Sequence, residues 1–208
     1  MLLDPLIIIF LVGLSCIIHY YTQIIFLKKK IIDIINDRSS HSSAASRSGG
    51  VSVFIMLFLV SFYYYLRGHE IFDFSIIIPL SILTLVGFYD DLYSVDFKLK
   101  FIFQIIVAKI IIDNGFIIDN FHGIFGLFEI SRIFAQLLTI FIIVAIINAI
   151  NFIDGIDGLA ISIGLLFIIS FEYFAKIETG FSILNIIILS SLVPLYYFNF
   201  RKKNKVFL

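Results

Sequence analysis

Four polar side chains recur every third residue at Asn148, Asn151, Asp154 and Asp157. They close a long apolar run, and glycines stand at 155 and 158. On a helix that persisted to Asp157, this spacing would lay them along one slowly drifting stripe. Two carboxylates and two carboxamides cannot face lipid without a large desolvation cost, so they must face water, protein, a metal or a substrate. Their oxygens suit Mg²⁺, or the hydroxyls of a sugar or base. The glycines permit a sharp turn and close approach of a ligand. The simpler alternative is a polar turn with a glycine stop signal. A calcium loop of the EF-hand type fits poorly, because its acidic ladder is missing.

Three further groups could do chemistry. Gly87-Phe88-Tyr89-Asp90-Asp91 closes another apolar run. Its paired carboxylates could bind a hard cation or take a proton from a nucleophile, or simply mark a solvated helix end. The Ser-rich stretch from Ser39 to Gly50 contains His41, Arg47 and Gly49-Gly50. Arginine can fork onto phosphate and a glycine pair frees backbone amides to do the same, although a flexible polar loop has this composition too. Lys98 and Lys100 could meet phosphates or anionic headgroups. Lys109 and Asp113, four residues apart, read as a snorkelling pair on one helix face. His19, His69 and His122 form no ligand spacing and receive no role.

The elements that must position these residues are membrane helices. Of 208 residues, 61% are hydrophobic and 14% charged, and the mean hydropathy is +1.08. A soluble domain averages about 45–50% apolar and about 25% charged residues. The expected fold is all-α, a polytopic transmembrane bundle in a single domain over residues 1–208. Apolar runs of about spanning length fall near 5–27, 51–66, 74–89, 99–112, 133–152, 159–174 and 181–200, predicting about seven spans. Residues 113–132 read as an irregular or interfacial excursion. The first run lacks a basic leader and a small-residue cleavage site, so it reads as a retained anchor. Cys16 is the single cysteine, so no intrachain disulfide is possible.

Seven spans put Lys28, Lys29, Lys30, Arg38, Arg47, Lys98, Lys100, Arg201, Lys202, Lys203 and Lys205 on one side, eleven of the fifteen basic residues. The positive-inside rule makes that side cytoplasmic, with the N-terminus outside and the C-terminus inside. The same alternation places Asp90, Asp91, Asp154, Asp157 and the loop around His41 and Arg47 on the cytoplasmic side.

Together these elements resemble the polyprenyl-phosphate N-acetylhexosamine-1-phosphate transferases of glycosyltransferase family 4. The group includes phospho-N-acetylmuramoyl-pentapeptide transferase and the O-antigen initiating transferases. Three segments carry the resemblance, in the family's order. They are Asp37-Arg38-Ser39-Ser40-His41 through Arg47-Ser48-Gly49-Gly50; Gly87 to Asp91 with Lys98, Lys100 and Gln104 after it; and Asn148 to Ala160. The Arg38-Ser39-Ser40-His41 run looks more like the O-antigen branch. Ala44 and Ser46 occupy a stretch where relatives often carry prolines. The family has about ten or eleven spans, and its Gly-Asp-x-Gly-Ser run would follow the segment ending at Leu208, so the resemblance implies a truncated member.

The resemblance implies a reaction: a UDP-N-acetylhexosamine and undecaprenyl phosphate give the undecaprenyl-pyrophosphoryl sugar and UMP. It implies Mg²⁺, with Mn²⁺ as a substitute, and a multi-pass protein of the bacterial inner membrane. Asp90, Asp91 and Lys100 are the implied catalytic residues. His41, Arg47, Asn148, Asn151 and Asp157 would bind substrate, and Asn151 and Asp154 the metal. The implied partners are the two substrates and the bilayer, with no nucleic acid; a homodimer is an open option. Two other readings stay open: an inactive fragment of such an enzyme, and an ion-coupled transporter, which the clustering of acids at one membrane face disfavours.

Overall fold

The computed structural model describes residues 5–33, 45–68, 74–154, 156–174, 179–201 and 205–207. Seven α-helices dominate: α1 (Pro5–Lys28), α2 (Gly49–Leu66), α3 (Ile77–Tyr93), α4 (Phe97–Asp113), α5 (Arg132–Ile153), α6 (Leu159–Phe174) and α7 (Thr179–Asn199). Each apolar run named above corresponds to one helix, and the all-α reading holds. By length and apolar composition, α1, α2 and α5 can each cross a membrane. One addition is a small sheet of two-residue strands, β1 (Ile32–Asp33), β2 (Ala45–Ser46) and β3 (Lys205–Val206). β2 pairs antiparallel with β1 and parallel with β3.

The chain forms two compact units, one of residues 1–74 with 152–208, the other of residues 75–151. In the first, α7 packs on α1, α2, α6 and β3. Its apolar core joins Ile161 of α6, Leu192, Leu195 and Phe198 of α7, and Val206 of β3. α1 buries Leu11, Ser15, His19, Thr22 and Phe26, spaced three or four residues apart so that one helical face turns inward. Much of that face is polar. Lipid offers helices little hydrophobic drive to associate, so small residues and interhelical hydrogen bonds take over. His19 Nε2 lies 3.1 Å from the Ser191 carbonyl of α7. The Thr22 and Ser52 hydroxyls hydrogen-bond between α1 and α2. Pro194 inside α7 removes one helical N–H and presses on the preceding turn. His19 therefore meets a carbonyl three residues before Pro194. The histidine given no role is a structural bond between helices.

The second unit contains a helical hairpin, α3 and α4, joined by three residues. Ser94 sits at φ +52° and caps α3, its N–H donating to the Asp90 carbonyl at 2.9 Å. Asp96 caps α4 by accepting from the Lys98 N–H at 3.2 Å. The apolar run suggested that α3 ends at 89. It continues to Tyr93, so Asp90 and Asp91 belong to its last turn rather than to the loop beyond. Residues 113–132 are irregular as expected, with a 3₁₀ turn at Ile124–Gly126 and an isolated Asn120–Glu129 bridge. Lys109 and Asp113 form the expected ion pair on α4.

Candidate functional site

In the second unit the hairpin turn organises the acids. Asp90 Oδ1 accepts from the Val95 N–H at 2.9 Å, inside the turn. Asp90 Oδ2 pairs with Lys100 Nζ at 2.7 Å, from the first turn of α4. Both side chains keep just over a quarter of their surface exposed, 29% for Lys100 and 28% for Asp90. The pair is thus oriented by the fold and still reachable. Asp91 is half-buried and Lys98 exposed.

One turn beyond Lys100 on the same face of α4 stands Gln104, which is buried. Its carboxamide meets that of Asn148 on α5. Asn148 Nδ2 donates to Gln104 Oε1 at 2.7 Å, and Gln104 Nε2 returns a longer bond of 3.4 Å to Asn148 Oδ1. Asn148 also donates to the Val144 carbonyl at 2.7 Å. So α3, α4 and α5 are linked by Asp90–Lys100 and Gln104–Asn148. Asn151, one turn further along α5, is exposed.

The polar stripe does not run to Asp157 on one helix. α5 ends at Ile153, Asp154 lies in the turn that follows, and α6 starts at Leu159. Gly158 explains the break. It sits at φ +72°, and a Cβ there would run into the Phe200 ring. Only glycine takes that backbone without strain and lets the aromatic ring approach.

In the first unit, Asp157 pairs with Lys205 at the start of β3. The Asn199 carboxamide donates to the Val206 carbonyl at 2.8 Å. The Phe207 N–H donates to the Ser46 carbonyl at 2.9 Å, and the Gly49 N–H, opening α2, donates to the Phe207 carbonyl at 2.8 Å. Residues 205–207 thus hold the Asp157–Gly158 turn from one side and the start of α2 from the other. Arg47 is half-buried between Ser46 and Ser48, whose hydroxyls lie 3.0 Å apart. Arg47 follows β2, and Lys205 opens its parallel neighbour β3. His41 lies outside the described residues.

Among the described residues no three His, Cys, Asp or Glu side chains group as a metal cage. Mg²⁺ does not need one; one or two carboxylates with waters and substrate phosphates commonly suffice. Asn151 on α5 carries a carboxamide and Asp154 in the turn after it a carboxylate, both donor types that such a cation accepts.

Residues 73–208 match the family described as Glycosyl transferase family 4. The chain belongs to glycosyltransferase family 4. The matched span contains Asp90, Lys100, Gln104, Asn148, Asp157 and Lys205, while Arg47 and His41 precede it. Neither a curated protein nor a solved structure matches the chain. The family is one of membrane-embedded transferases that move sugar phosphates onto polyprenyl phosphates. The long apolar helices of this glycosyltransferase agree with its association with a membrane.

One of its interactions was not visible in the sequence, and a second only in part. Lys205 read as one more charge in a basic tail, and nothing in the order Lys205-Val206-Phe207 announces a strand. The Gln104–Asn148 bond had a partial signal. Lys100 and Gln104 share a face by their four-residue spacing, but their partners lie on other helices.

Proposed function

We propose that this glycosyltransferase moves an N-acetylhexosamine-1-phosphate from a UDP-sugar to undecaprenyl phosphate at the cytoplasmic membrane face. UMP leaves, and the product initiates a cell-envelope polysaccharide of the O-antigen type. The observation that carries the proposal is the Asp90–Lys100 pair, held at a hairpin turn within the family match. A membrane-boundary site suits a reaction between a lipid and a cytosolic anion.

An oxygen of the lipid phosphate attacks the β-phosphorus of the nucleotide sugar. The bond from that phosphorus to the bridging oxygen breaks, and UMP carries the electrons away. Lys100 turns from Asp90 toward the incoming phosphate and offsets its charge. Asp90 Oδ2, released, aligns the lipid phosphate or takes its proton. Asp91 supports this network. Asn148, locked by Gln104, keeps the α5 face in register, and Asn151 and Asp154 would hold the cation. Mg²⁺ bound there supplies charge neutralisation at the pyrophosphate. In the first unit, the Asp157–Lys205 pair steadies the turn beside Asp154.

The test is UMP release from membranes containing the chain, with undecaprenyl phosphate, Mg²⁺ and a panel of UDP-N-acetylhexosamines. The expected result is release that requires the lipid and Mg²⁺ and is abolished in Asp90→Asn. Release that Asp90→Asn leaves intact, or none from membrane-inserted protein with any sugar of the panel, overturns the proposal.

A further inference from the structure

The first unit holds a groove of about 710 Å³ between α1 and α2 that the transferase reading does not use. Phe10 and Leu14 line one wall, Leu59 and Val60 the other, and Tyr63 and Arg67 lie toward the α2 end. The volume falls within the range of about 300–1,000 Å³ typical of small-molecule sites. The lining is apolar apart from one charge and the tyrosine hydroxyls. Arg67 caps the C-terminus of α2, and its guanidinium lies 5.5 Å from the Tyr63 ring centroid. That cation–π contact holds the charge at the mouth of the groove. Among the described residues no carboxylate pairs with Arg67.

We propose that this groove binds one anionic phospholipid, its acyl chain between α1 and α2 and its headgroup phosphate on Arg67. Charge complementarity selects the occupant. The C-terminal end of α2 carries partial negative charge and would repel an anionic headgroup. Arg67 reverses that sign and offers the forked donors that phosphate takes. The occupant differs from the polyprenyl substrate in where its phosphate sits. Ile7 lines the groove near one end of α1 and Lys28 closes the other, a rise of about 30 Å. β2 and Ser48 lie at the Lys28 end, so a phosphate on Arg67 is about a bilayer core away from them. The proposal stands whether or not the transferase reading does.

The protein has no tryptophan, so Phe10→Trp places a single reporter in the groove. The full chain is reconstituted in phosphatidylcholine, and quenching is measured with brominated-chain phosphatidylglycerol against brominated-chain phosphatidylcholine. The expected preference for phosphatidylglycerol is about fivefold, the worth of one basic side chain at an anionic surface. Adding Arg67→Gln removes the preference, and adding Arg67→Lys keeps it. Phe171→Trp on α6, read in the same vesicles, shows no preference. Equal quenching of the Phe10→Trp reporter by both lipids overturns the proposal. So does a preference that survives Arg67→Gln, or one that Phe171→Trp shares.

Discussion

At the scale of single residues, the informative contrast is between a pair that can open and one that cannot. Asp90 and Lys100 meet in partial exposure, where an ion pair adds about 0.2–1 kcal/mol at most. A phosphate can displace it at little cost. Lys100→Met is therefore expected to leave thermal stability nearly unchanged while lowering UMP release by about 10²-fold, the scale for losing one charge-stabilising group. Lys100→Arg retains part of the rate. Gln104 is different, because it is buried and shares its carboxamide with Asn148. Gln104→Leu removes the Asn148 carboxamide's partner on α4 and leaves only its bond to the Val144 carbonyl, at a cost of about 1–3 kcal/mol. Asn148→Leu in the same protein returns much of that loss, since neither amide is then left without its partner. A double-mutant cycle on unfolding in detergent measures the coupling; strict additivity would show that the bond contributes nothing.

At the scale of elements, the turn between α5 and α6 is the sensitive joint. Gly158→Ala places a Cβ against Phe200 at a positive φ, and the backbone term alone costs about 1–2 kcal/mol. Loss of folded protein in detergent is expected, and Phe200→Ala in the same chain relieves the steric part but not the backbone part. This joint also shows what the sequence made legible. Gly158 announced a break in the apolar run, and each helix coincides with an apolar run that the sequence displays. The end of α3 was misplaced because Asp90 and Asp91 look like the close of a span. Backbone bonds to Ser94 carry the helix past them. The sheet was invisible, since two-residue strands have no period to read. Asn148 and Asp157 stood out as polar groups beside apolar runs, whereas their pairing with Gln104 and Lys205 shows only in three dimensions.

At the scale of the whole molecule, the charge count makes a definite claim about sidedness. With Cys16→Ser as background, a cysteine at Lys28 is expected to react with an impermeant maleimide only from the cytoplasmic side, and one at Arg67 only from the opposite side. Labelling of both from one face would break the seven-span alternation. The discontinuous first unit has a further consequence, for the order of events during synthesis. Ser46 bonds to Lys205, 159 positions later, so β2 waits for its parallel partner while the chain between them is made. At about 5–20 residues per second that wait is on the order of ten to thirty seconds. The second unit, continuous from 75 to 151, needs nothing that has not already left the ribosome. Nascent chains arrested soon after residue 151 emerges should therefore resist proteolysis first across the α3–α4 hairpin, with the ends of α1 and α2 nearest β2 still open to cutting. α1 and α2 are made before the α3–α4 hairpin, yet the start of α2 gains its bonds to residues 205–207 only after it.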